Sequence, residues 1–145
     1  MIELLIVTAI IGLLAGLAFP SAAAGVESLR LRATADSVVN LLNTAMDRAE
    51  RRQQVIEIWI SPQDSVVIAR SPDLAFSRRL DMPENFHITA IIPVLQTAPG
   101  EPRRFLLYPG GTVPHLGVEI TSNSGRKRMI SVDPFTGMPR SGEVR

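Results

Sequence analysis

Between Glu3 and Glu27 the chain carries no charged side chain. The run from Leu4 to Val26 reads LLIVTAIIGLLAGLAFPSAAAGV, close to the ~20 residues a helix needs to cross a hydrocarbon core. Three structures accommodate such a run: a buried core helix, a cleaved secretory signal and a retained membrane anchor. A core helix of this length shows a polar stripe, and this run has none. The segment Ser21-Ala22-Ala23-Ala24 is similar to a small-residue cleavage site, but a secretory signal opens with a positive region. The only charge ahead of the run is negative, Glu3. A retained transmembrane helix over residues 1–25 is the expectation.

Two residues stand out within it. A carboxylate at mid-bilayer costs roughly 2.5–3.5 kcal/mol on insertion scales, so Glu3 needs a partner or a place in the headgroup region, where a helix N-terminus favours an acid. Pro20 removes a backbone hydrogen bond and bends a helix. With Gly16 and Gly25 nearby, it marks the place where the helix leaves the bilayer.

From Val26 the pattern becomes that of an amphipathic helix over residues 26–53. Val26, Leu29, Ala33, Val38, Leu42, Ala45 and Ala49 recur at steps of three to five, and Glu27, Arg30, Arg32, Asp36, Asp47 and Arg48 take the other side. Arg51 and Arg52 suit the negative end of the helix dipole near Gln53. A helix from Ile2 to Arg52 is ~75 Å long at 1.5 Å per residue.

Residues 54–145 read as a β-rich domain. Val55–Ile60 is β-branched and apolar, Ser61–Ser65 is a turn, and Val66–Arg70 returns. Weaker strands are expected at Phe76–Leu80 and Phe86–Ile92, and a loop from Pro93 to Pro102. Further strands are expected at Arg104–Tyr108, Gly117–Thr121 and Arg128–Val132, with turns at Ser122–Gly125 and Asp133–Gly137. The fold class is α+β: a long N-terminal helix packed on a C-terminal antiparallel sheet of six to eight strands.

Chemistry is sparse. The 145 residues include no cysteine, which excludes disulfides, thiolate metal sites and a cysteine nucleophile. The net charge of +1 sets up no strong global field. No Gly-x-Ser-x-Gly, phosphate-binding Gly-x-x-x-x-Gly-Lys or His-Glu-x-x-His motif occurs, so no catalytic residue, metal or cofactor is expected. His87 and His115 read as ordinary strand or surface histidines, Trp59 as core, and Gly110-Gly111 as a turn. The basic cluster Arg126-Lys127-Arg128 sits on a hairpin tip with no acid beside it in sequence, and Arg103, Arg104 and Arg140 are candidates to join it in space. Cations there are able to contact phosphates. Alternation puts Lys127 on the opposite face from Arg126 and Arg128, and no aromatic residue stands beside them for base stacking.

The start of the chain, Met1-Ile2-Glu3-Leu4-Leu5-Ile6-Val7 through Ile10-Ile11-Gly12-Leu13-Leu14-Ala15 to Pro20, resembles the N-terminal signature of type IV pilins and pseudopilins. Tyr108-Pro109-Gly110-Gly111-Thr112, the Gly117–Thr121 strand, Gly125-Arg126-Lys127-Arg128 and Ile130-Ser131-Val132 resemble the GspH and FimT branch of minor pseudopilins. The resemblance implies a pilin-like fold, anchored by one pass in a bacterial inner membrane with its C-terminal domain in the periplasm. It implies that Glu3 pairs with the terminal ammonium of a neighbouring subunit, and that the partners are other pseudopilins or pilins in a helical filament. It further implies a precursor cut by a prepilin peptidase and N-methylated. Met1 falls two residues inside the mature start of that family, so the leader and first mature residues are expected ahead of this sequence. The function implied is that of a GspH-like minor pseudopilin in type II protein secretion. The alternative is a FimT-like minor pilin that binds DNA in transformation through a Gly-Arg-x-Arg motif, which Gly125-Arg126-Lys127-Arg128 fits.

Overall fold

A computed structural model of the chain describes residues 1–94, 100–111 and 114–144, and of residues 17–22 the helical backbone alone. It divides into two compact units, Met1–Arg30 and Leu31–Arg145. One helix, α1 (Ile2–Arg52), runs through both. Eight strands follow among the described residues: β1 (Ile56–Ser61), β2 (Val66–Arg70), β3 (Ser77–Asp81), β4 (Phe86–Ile92), β5 (Arg103–Leu107), β6 (Gly117–Ser122), β7 (Lys127–Val132) and β8 (Pro139–Glu143).

In the first unit the residues from Met1 to Gly16 are all exposed. The Thr8 hydroxyl donates to the carbonyls of Leu4 and Leu5 at 2.9 and 3.0 Å, so this polar group is satisfied within the helix. Among the described residues no helix is long and apolar enough to cross a membrane. The run expected to do so passes through residues 17–22, outside the described side chains, and Pro20 lies there too.

The second unit is built on the C-terminal part of α1. Its buried face is Leu31, Thr34, Ala35, Val38, Leu41, Leu42, Ala45 and Ala49, stepping by three or four as a helix of 3.6 residues per turn requires. Val26 and Leu29, expected on this stripe, are 49% and 68% exposed, and Ala33 is exposed as well. The five-residue step from Ala33 to Val38 breaks the helical phase, which places the first three on another side. The helix ends where the arginines and Gln53 indicate. Gln53 adopts φ 51°, its N–H reaches the Glu50 carbonyl at 3.4 Å, and Gln54 N–H reaches that of Ala49 at 3.2 Å, a Schellman closure.

The strands form two antiparallel four-stranded sheets where one was expected. Their orders are β3-β2-β1-β5 and β4-β6-β7-β8. In the first, Ile56, Ile58 and Ile60 point inward and Glu57 and Trp59 outward, so Trp59 is not core. It follows from the two-residue strand period, with which the three isoleucines are in phase. In the second, a register shift between Ile88 and Ala90 marks a bulge at Thr89. The bulge inverts the alternation, so that both Ile88 and Ile91 are buried. The inner faces of both sheets and the buried face of α1 make one core.

Strand β8 has no counterpart among the expected strands. Pro-Arg-Ser-Gly-Glu lacks β-branched residues, and its proline is tolerated because it opens an edge strand.

Candidate functional site

Two sets of residues are functional candidates, and they lie in different units. The first is Glu3 with the apolar helix around it. Glu3 falls in the first turn of α1, where unpaired backbone N–H groups and the dipole favour a carboxylate. It is exposed. Ile2, Leu4, Leu5, Ile6, Val7, Ile10, Ile11, Leu13 and Leu14 are each 52–73% exposed, so the apolar surface covers every side of the helix. A helix that is apolar all round is of the kind that protein or lipid ordinarily buries.

The second is the basic hairpin. Ser122–Gly125 forms its turn, as expected: Gly125 takes φ 86°, its N–H reaches the Ser122 carbonyl at 2.9 Å, and Ser122 N–H reaches the Arg126 carbonyl at 2.8 Å. The three cations then part. Lys127 points to the outer face, where its ammonium lies 3.0 Å from Glu119 Oε1. Arg128 shares the inward phase of Ile130 and Val132. Its side chain is 14% exposed, with Nη2 3.8 Å from Glu143 Oε1. Arg126 is exposed at the turn.

The other arginines do not join them. Arg103 Nη1 donates to the carbonyls of Ile91 (3.3 Å) and Pro93, and its guanidinium lies 5.1 Å from the Phe105 ring. Ile92 pairs with Gly117, and Gly117 with Ser131, whereas Lys127 pairs with Thr121. Arg103 therefore sits at the far end of the second sheet from the hairpin, four strand residues or ~14 Å along it. Arg140 pairs with Ser131 at that far end and faces Asp133 at 4.0 Å. Arg104 lies on the outer face of the first sheet, 3.4 Å from Glu57 Oε1.

Sequence reasoning missed the carboxylates that hold these cations. Glu57 accepts from Arg70 Nε at 2.9 Å and faces Arg104 as well. Its hydrogen bond to Arg70, against some desolvation, holds its carboxyl below the ordinary glutamate range. Glu119 is buried enough for desolvation to raise it, but the Lys127 ammonium and the Thr89 hydroxyl, 2.8 Å away, outweigh that and keep it low. The available signal was phase: each glutamate is the one charged residue of its strand, on the side that alternation turns outward.

The histidines show no special chemistry. His87 Nε2 lies 3.1 Å from Asn123 Oδ1 and His115 is exposed. Among the described residues no three His, Asp or Glu side chains are grouped to hold a metal. Gly110 and Gly111 are in the turn that follows β5. Gly110 N–H donates to Glu50 Oε1 at 2.7 Å, which ties the turn to the end of α1. Comparison with models of known families, with characterised proteins and with solved structures returned no match.

Proposed function

We propose that this chain is a structural subunit, not an enzyme. It would assemble through the N-terminal part of α1 into a filament of the type IV pilin-like class, as a GspH-like minor pseudopilin serving protein secretion. The observation that carries the reading is the exposed apolar surface of α1 from Ile2 to Leu14 with one acid, Glu3, in its first turn. Left in water, each of these large side chains forgoes about 1.5–3 kcal/mol of burial, and a contiguous apolar surface of this extent marks an interaction site. Lipid of a bacterial inner membrane covers it before assembly, and the helices of neighbouring pseudopilins or pilins cover it afterwards. Glu3 pairs with the terminal ammonium of a neighbour, which supplies the partner that a carboxylate in an apolar setting requires. The Leu31–Arg145 unit then faces the periplasm.

The test is Glu3→Ala in cells that make the partner subunits. Co-purification with those subunits is expected to fall at least tenfold, while the circular dichroism of the purified chain in detergent stays unchanged. Undiminished co-purification overturns the proposal.

A further inference from the structure

Strand β3 is an outer strand of the first sheet, with β2 on one side and no described strand on the other. Ser71 N–H bonds to the Phe76 carbonyl at 2.9 Å and Met82 N–H to that of Ser65 at 2.9 Å. Hydrogen-bonded pairs alternate in an antiparallel ladder. Phe76, Arg78, Leu80 and Met82 therefore direct their backbone groups at β2, and Ser77, Arg79 and Asp81 direct theirs away from the sheet. The side chains divide the other way. Arg78 pairs with Ala69 and Leu80 with Val67, both fully buried, so Arg78 and Leu80 lie on the helix-facing side.

On that side α1 extends past the strand. Ser37, Asn40, Leu41 and Thr44 of the helix and Arg78, Arg79 and Leu80 of β3 line a groove of about 250 Å³. It occupies the place where the inward side chains of one more strand would go. The Ser37 and Thr44 hydroxyls bond back to the Ala33 and Asn40 carbonyls, so these two groups of the helix wall are satisfied within the helix. No carboxylate is among the described residues that line the groove. Arg79 is paired with Asp81 at 2.6 Å on the outer side, whereas the Arg78 guanidinium has no hydrogen-bond or ion-pair partner among the described residues.

We propose that the free edge of β3, with the groove beneath it, accepts an extended segment of a partner protein that carries an acidic side chain facing Arg78. The backbone groups of Ser77, Arg79 and Asp81 supply the ladder, and the Arg78 guanidinium supplies the selectivity. A second copy of the chain is a poor occupant. β3 paired with itself about its centre sets Arg79 against Arg79, and like charges directly opposite destabilise a pair.

The probe is an acetylated, amidated heptapeptide alternating valine with aspartate, titrated into the isotopically labelled full chain in detergent micelles. Its lysine counterpart is the control. The expected result is slowed amide exchange at Ser77, Arg79 and Asp81, with the aspartate peptide bound at least tenfold more tightly than the lysine peptide. Arg78→Glu is expected to invert that preference. Arg79→Pro removes an N–H that β2 does not use, so it is expected to abolish binding with the fold intact. The aspartate peptide N-methylated at alternate residues is expected to bind at least tenfold more weakly. Equal affinity for the two peptides, protection elsewhere than on β3, or self-association of the chain abolished by Arg79→Pro would overturn the proposal. The readout is independent of filament assembly, since Glu3→Ala leaves β3 untouched.

Discussion

At the scale of the residue, the cations show how far side-chain identity is from side-chain availability. Lys127, Arg128, Arg104 and Arg140 each face a carboxylate within 4.0 Å. A phosphate must compete with those acids, and the arginines on the far side of the domain are too remote to help. Duplex DNA titrated against the full chain in detergent at low salt is expected to bind no more tightly than the high micromolar range. Arg126→Gln with Arg128→Gln should leave that weak binding unchanged. Micromolar, salt-sensitive binding that vanishes in the double variant would establish the DNA reading instead. The turn carrying these residues depends on one glycine. Gly125 has φ 86° with nothing within 4 Å of an added Cβ, so the cost of a side chain is backbone strain alone. Gly125→Ala is expected to lower stability by about 1–2 kcal/mol, as denaturant titration would measure.

At the scale of the element, α1 and the strands behave differently. The helix is legible because its signal is local: an uncharged run, then apolar positions at helical spacing, then arginines at its end. Its buried phase is less legible, since Val26, Leu29 and Ala33 look as suitable as Leu31, Ala35 and Val38 until the sheets choose a side. Leu42 is 1% exposed in that seam. Leu42→Ala is expected to cost about 2–5 kcal/mol, read as a lowered midpoint in urea. Most strands are legible from β-branched runs between turn residues. β8 is not, because an edge strand pinned by its neighbour needs no propensity of its own. The bulge at Thr89 is hidden as well. It replaces strict alternation in Phe86–Ile92 and lets Ile88 and Ile91 both reach the core.

For the whole molecule, the depressed carboxylates link folding to pH. Glu57, Glu119 and Asp133 all have lowered values in the folded chain, from Arg70, from Lys127 and Thr89, and from the Phe135 and Thr136 N–H groups respectively. Around pH 4 the unfolded chain therefore binds more protons than the folded one. The stabilisation is complete above about pH 4.5 and is lost as pH falls through the folded values. Thermal unfolding of the full chain in detergent should show a Tm that drops steeply below about pH 4.5. Glu57→Gln should lower Tm at about pH 7 and flatten that slope, and an unchanged slope would count against the Glu57 clamp.

What the sequence determined by itself was whatever a short window of chain decides. The uncharged run from Leu4 to Val26, the single acid at its head, the helix end near Gln53 and the turn at Ser122–Gly125 follow from hydropathy, spacing and backbone preference over a few residues. Tertiary structure alone decided which strands pair. β5 joins β1 across two other strands of its own sheet and all of β4, while β4 passes β5 by to join β6, and so one expected sheet becomes two. Pairing between distant segments rests on loop closure and on a shared core, neither of which leaves a mark in the local pattern. The partners of the charged groups follow from that pairing: the register sets Glu57 directly opposite Arg70 and on the diagonal from Arg104, and Lys127 on the diagonal from Glu119. The place of β3 at the edge of its sheet, with no second neighbour among the described strands, has the same origin.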